Sequence, residues 1–167
     1  MQSQWAKRDI IENILGALTR ENALACRVSL VTGLRINDVL AIPTAKWIKQ
    51  RFTIREEKTG KTKKVRIPLE LWREGMMVCG QHYVFEHRLN GREHRTRQAV
   101  NKDLRRACRA FRVTENITPH SMRKIYAVEY YRKYKSLKRV QKLLNHKSEA
   151  VTKIYAMADQ ITKARKG

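Results

Sequence analysis

Cysteine, proline and acidic side chains are scarce in this chain, and each scarcity excludes something. Among 167 residues there are three cysteines, Cys26, Cys79 and Cys108. The number is odd, the spacing wide, and no C-x-x-C pair occurs, so neither a zinc knuckle nor a disulfide framework is supported. They read as reduced core thiols. The three prolines, Pro43, Pro68 and Pro119, each fall at an expected boundary between elements. No apolar run approaches the length of a membrane span. The opening "MQSQWAKRDI" has no apolar h-region of a signal peptide, which predicts a cytoplasmic protein. No internal repeat and no low-complexity segment is present. Asp and Glu total 15 against 37 Lys and Arg, a formal charge of +22. Such an excess raises self-repulsion in the compact state and implies an anionic partner. The basic residues occur in nearly every segment, which suits a protein that embraces a polyanion better than one with a basic arm. Composition alone also fits a ribosomal-type or general nucleic-acid coat protein.

The length fits one domain with a sizeable core. Residues 6–18 carry Ile10, Ile11, Ile14, Leu15 and Leu18 at helical spacing. A second helix is expected over 22–32, then a turn at Gly33 and a third helix with Leu34, Val39, Leu40 and Ile42 inward. "WIKQRFTIREE" and "KKVRIPL" are β-like runs around "KTGK", a hairpin with Gly60 in its turn. A short strand is plausible at "HYVFE". "TRQAVNKDLRRACRAF" reads as a helix with Val100, Leu104, Ala107, Cys108 and Phe111 on one stripe. Three helices are expected near 119–134, 136–144 and 148–156. The fold class is therefore α+β: a mostly helical domain with a small antiparallel sheet.

Cleaving a phosphodiester without a metal requires a nucleophile, cations on the non-bridging oxygens, an acid for the leaving oxygen and a base for the nucleophile. Candidates for all of these are scattered along the chain. Arg35 follows the glycine turn and opens a helix, and its fork suits two phosphate oxygens. Asp38, one turn later, could fix Arg35 or a nearby histidine. Lys58 begins the hairpin turn, where an amine can enter a DNA groove; alone it fits a solvated edge-strand lysine equally well. In "TPHSMRKIYA", Thr118 caps a helix, Pro119 takes its first position, and His120 and Arg123 share a face at i, i+3. His146 lies between two short helices, where a histidine can cap or bind. Tyr155, nine residues later, fits core packing on an amphipathic helix as well as attack by its phenol.

Taken in order, "TGLRINDVL", "KTGKTKKVRIPL", "TPHSMRKIYA" and "LLNHKSEAVTKIY" resemble the four signature segments of the tyrosine recombinase (phage integrase) family, over about residues 6–157. The resemblance implies that Arg35 and Arg123 clamp the scissile phosphate, and that His146 adds a hydrogen bond to it. Lys58 would protonate the leaving 5′ oxygen, and His120 would assist proton transfer from Tyr155. Tyr155 would form a 3′-phosphotyrosyl link that a 5′ hydroxyl can reverse, with no metal and no cofactor. A phenol of pKa about 10 needs such a field, or a base, to attack near neutral pH. Lys61, Lys63, Lys64, Arg97 and Lys124 are expected to contact double-stranded DNA. The same resemblance implies a tetramer on paired DNA sites, while the charge of +22, which opposes self-association, predicts a monomer when free.

Two positions depart from the family pattern. Lys124 stands where a second histidine or similar residue is usual, and Asn145 replaces the usual glycine before the last histidine. Full members usually carry an N-terminal helical domain, for which this chain has no room, so a single catalytic domain over 1–167 is expected. Two other functions remain open: a recombinase-like DNA-binding protein with weak or no catalysis, and a type IB topoisomerase-like enzyme.

Overall fold

The computed structural model describes residues 8–144. Within them the chain runs α1 (Arg8–Gly16), α2 (Arg20–Thr32), α3 (Ile36–Leu40), α4 (Thr44–Trp47), β1 (Arg51–Arg55), β2 (Thr62–Arg66), α5 (Leu69–Val78), α6 (Arg97–Ala110), α7 (Pro119–Tyr134) and α8 (Leu137–Leu144). The mostly helical α+β expectation holds. The third of the expected C-terminal helices, near 148–156, lies outside the described residues.

Helix α2 is the centre of the molecule. Its residues Leu24, Ala25, Cys26, Val28 and Ser29 are fully buried, so nearly its whole circumference is covered, as for a helix enclosed by others. Helices α1, α3, α5 and α7 pack around it. The apolar stripe of α1 (Ile11, Ile14, Leu15) and that of α6 (Val100, Leu104, Ala107, Cys108) close the same core. Asp103 of α6 accepts hydrogen bonds from Thr19 N (2.8 Å) and Asn22 Nδ2 (2.8 Å), fastening the start of α2 to α6.

β1 and β2 form an antiparallel ribbon in the register Phe52↔Val65, Ile54↔Lys63 and Arg55↔Thr62. Because side chains alternate, Ile54, Lys63 and Val65 share the inner face. The outer face carries Arg51, Arg55, Lys64 and Arg66, all exposed. The loop is closed by Glu56 N donating to Lys61 O (2.9 Å) and Gly60 N donating to Glu56 O (2.8 Å), with Gly60 at φ +65°.

The structure differs from the sequence expectation at four places. Trp47, read as part of a β-like run, ends the one-turn helix α4; its indole donates to Trp72 O (3.1 Å) while the Trp72 indole donates to Trp47 O (2.9 Å). This reciprocal pair fixes α5, a helix that the sequence reading omitted. α5 carries Gly75 where a Cβ would overlap the Trp47 ring, so close packing explains an internal glycine that weakens the helical pattern. "HYVFE" forms no strand of the sheet. Tyr83 bridges Pro43 and Glu86 bridges His94, and the consecutive Val84 and Phe85 are both buried, which breaks strand alternation. Phe111 leaves its stripe: α6 ends at Ala110, Arg112 turns the chain at φ +53°, and Phe111 is 51% exposed.

Gly33 ends α2 in the left-handed conformation (φ +67°), its N–H donating to Ser29 O. A Cβ at this position would overlap the Tyr126 ring of α7. Gly33→Ala therefore combines a left-handed alanine, about 1 kcal/mol, with overpacking of about 1–3 kcal/mol. Thermal unfolding should move down by roughly 5–15 °C. An unchanged midpoint would show that α2 and α7 separate without cost.

Candidate functional site

The site grows from the end of α2. The last carbonyls of a helix lack partners within it and carry the negative end of its dipole. Here three local bonds set the turn: Thr32 Oγ1 donates to Val28 O (2.6 Å), Ser29 Oγ donates to Leu34 O (2.7 Å), and Leu34 N donates to Thr32 Oγ1 (3.3 Å). The carbonyls of Thr32 and Gly33 take cations from two other elements. Lys63 Nζ of β2 donates to Thr32 O (2.7 Å), and Arg123 Nη1 of α7 donates to Gly33 O (2.8 Å). Arg35, two residues beyond Gly33, is the N-cap residue of α3. Three positive side chains from α3, β2 and α7 thus gather at one helix terminus.

Arg123 is 1% exposed. Its Nη2 donates to Leu144 O (2.8 Å), the last described residue, two positions before His146. Its Nε is buried and meets no hydrogen-bond partner among the described residues. Burial, then the nearby Arg35 charge, pushes its pKa down to about 10, against the pull of Glu56 and Asp38. It stays charged at neutral pH. Burial, and next Arg123, pushes the Lys63 ammonium down to about 8. The Lys63 Nζ also lies 5.8 Å from the Tyr126 ring centroid, within reach of a cation–π contact.

Two carboxylates face these cations. Glu56, 1% exposed, follows β1 directly. Its Oε2 accepts from Arg35 Nη1 (3.0 Å) and from Thr59 Oγ1 (2.8 Å), and its Oε1 stands 3.8 Å from Arg123 Nη1. Asp38 does not bond either arginine. Its Oδ1 accepts from Glu57 N (2.9 Å), pinning the base of the hairpin tip to α3. Burial raises the Asp38 pKa, outweighing that backbone bond.

The sequence candidates divide accordingly. Arg35 and Arg123, 88 positions apart in the chain, meet on Glu56. Lys58 is exposed at the hairpin tip, two residues from Glu56, and His120 is exposed in the first turn of α7. His146 and Tyr155 lie outside the described residues. Lys61, Lys64 and Arg97 are exposed, and Lys124 is half-buried beside Arg123 on α7. Lys63, expected as a DNA contact, turns inward to the site. Its register with Val65 and Ile67 was the signal for that. Glu56 and the exposed outer-face arginines Arg51, Arg55 and Arg66 were not among the sequence candidates. Among the described residues no group of His, Cys, Asp or Glu side chains is assembled for a metal ion, and no helix is long and apolar enough to cross a membrane.

Comparison with known proteins gives concordant matches. The model of the phage integrase family matches residues 4–161. A tyrosine recombinase of Thermosipho africanus (strain TCF52B) is 28% identical over 171 residues, covering 91% of this chain and 56% of that protein. The chain thus spans about half the length of this curated relative. The lambda integrase catalytic core superposes with a TM-score of 0.72 at 21% identity, over 88% of this chain and 93% of that one. A lambda integrase tetramer bound to a Holliday junction gives 0.73 at 20% identity, over 92% of this chain and 48% of that one.

Proposed function

Since the chain belongs to the phage integrase family, we propose that it is the catalytic domain of a site-specific recombinase that cleaves and rejoins double-stranded DNA through Tyr155. The observation that carries this reading is the pair of guanidiniums. Arg35 and Arg123 arrive from separate elements at a common anionic partner, and buried Arg123 Nε has no acceptor among the described residues. Buried donors are normally satisfied, and a phosphate oxygen would complete this one.

The chemistry follows from charge. A phosphate held by two guanidiniums is stabilised most when attack adds charge to its equatorial oxygens. The Tyr155 oxygen forms the new bond to phosphorus as the bond to the 5′ oxygen breaks. Lys58 supplies that oxygen with a proton, His120 assists removal of the phenolic proton, and His146 donates to a non-bridging oxygen. A 5′ hydroxyl of another strand reverses the step. The outer face of the ribbon, with Lys61 at its tip and Arg97 and Lys124 elsewhere, supplies cations for backbone phosphates. No metal or cofactor takes part.

A charge of +22 opposes self-association of the free protein, so it is a monomer until DNA neutralises it. The lambda integrase tetramer on a Holliday junction supports four protomers on paired sites.

A nicked duplex tests the reading, because cleavage beside a nick releases a short fragment and traps the covalent complex. The expected result is a denaturation-resistant adduct, and sedimentation showing a tetramer on two-site DNA but a monomer without DNA. A duplex that is bound but never linked would leave a DNA-binding module. Relaxation of supercoils by a single protomer would favour a topoisomerase.

A further inference from the structure

Glu56 is an unusual residue to find where a phosphate is expected. It is nearly fully buried in a chain of charge +22, and its carboxylate contacts both arginines of the clamp, at 3.0 Å to Arg35 and 3.8 Å to Arg123. Two guanidiniums in a low-dielectric site repel, and a shared counter-ion holds them together. A carboxylate from any nearby element would meet that need, yet this one belongs to the hairpin that carries Lys58.

The position matters because Glu56 also shapes the hairpin tip. The oxygen that binds Arg35 accepts from Thr59 Oγ1 at 2.8 Å, and the Glu56 backbone makes the two bonds to Lys61 and Gly60 that close the loop. Lys58 lies between Glu56 and Thr59. A continuous chain of contacts therefore runs Arg35–Glu56–Thr59, spanning the base of Lys58. We propose that Glu56 is a positioning residue that couples the arginine clamp to the Lys58 hairpin. It stands in for the phosphate charge when DNA is absent, and it sets the Lys58 amine against the leaving oxygen through Thr59. This rests on the reading of Lys58 as the proton donor.

The test compares two nicked duplexes under single-turnover conditions, one with the natural bridging 5′ oxygen and one with sulfur there. A thiolate leaves without a proton, so the sulfur substrate bypasses whatever delivers one. Thr59→Val removes the bond to Glu56 and the longer one that Thr59 Oγ1 accepts from Lys61 N (3.4 Å), but leaves both arginines and Glu56. It should slow cleavage of the oxygen substrate about tenfold, the scale set by the short bond to the carboxylate, and match wild type on sulfur. Glu56→Gln, which keeps an acceptor and removes the charge shared by the two arginines, should be slowed on both substrates but more on oxygen, whereas Lys58→Ala should recover most of its loss on sulfur. Arg35→Ala should be slow on both. Equal slowing of Glu56→Gln on the two substrates, or a Thr59→Val rate equal to wild type on oxygen, overturns the coupling. A wild-type chain that links to neither substrate overturns the functional reading itself, and this inference with it.

Discussion

Arg123→Ala is expected to slow DNA cleavage by about a thousandfold, the scale of losing a preorganised charge at the reacting oxygen, and to unfold about 10 °C earlier than the wild-type chain. Both effects come from one side chain because it has two kinds of partner. Its Nη1 and Nη2 satisfy Gly33 O and Leu144 O in the interior, and its charge faces Glu56. Truncation removes the Arg123 donor from each of these carbonyls and deprives a buried carboxylate of one partner, which costs about 3–5 kcal/mol where one member of a buried pair is removed. Duplex binding should fall far less, since the exposed ribbon face and Arg97 are untouched. Single-turnover cleavage, thermal unfolding and a binding titration on the same variant separate the terms. If cleavage fell no further than binding, Arg123 would be an ordinary backbone contact. If the unfolding midpoint did not move, the two carbonyl bonds would contribute nothing to stability.

Most of the scaffold was legible because its signals are local. Gly33 could be read as a turn, and Arg35 as the start of a helix, from adjacent residues alone; the structure has Gly33 at φ +67° and Arg35 as the N-cap residue of α3. Pro119 marked the first turn of α7 in the same way. What escaped depends on contacts far apart in the chain. In a run holding Lys58, Lys61, Lys63 and Lys64, nothing local separates the lysine that faces the core. Pairing of Lys63 with Ile54 does so, by placing it on the ribbon's inner face. Glu56 reads as a solvated acid in a polar turn until β1 delivers it to two arginines from α3 and α7. Asp38 was expected on Arg35 or a histidine, but an α3 of only five residues puts it beside the hairpin base, where the Glu57 N–H takes its oxygen. Helix α5 was missed because Gly75 interrupts its pattern, and the reason for the glycine is an indole from α4.

Tyr155→Phe should abolish the covalent adduct, a loss of more than about ten-thousandfold if no other nucleophile replaces it, while binding of the duplex stays at the wild-type level. Only one oxygen is removed, and none of the basic side chains proposed to contact DNA is changed. The variant is informative because the described residues contain rival phenols. Tyr126 lies one turn beyond Arg123 on α7, and its ring packs beneath Gly33, 5.8 Å from the Lys63 ammonium. It is a poor nucleophile on physical grounds. Burial raises its pKa, with Tyr130 and Tyr134 next in effect, and the nearby Arg123 charge does not compensate. Tyr130 stacks between Tyr126 and Tyr134 at centroid distances of 6.0 and 4.5 Å. Attack by Tyr126 would first require its ring to leave the Gly33 turn that holds Arg123. Mass spectrometry of the wild-type adduct after proteolysis should find the nucleotide on the peptide containing Tyr155. A nucleotide on an α7 peptide, or an adduct formed by Tyr155→Phe at the wild-type rate, would move the nucleophile to another residue.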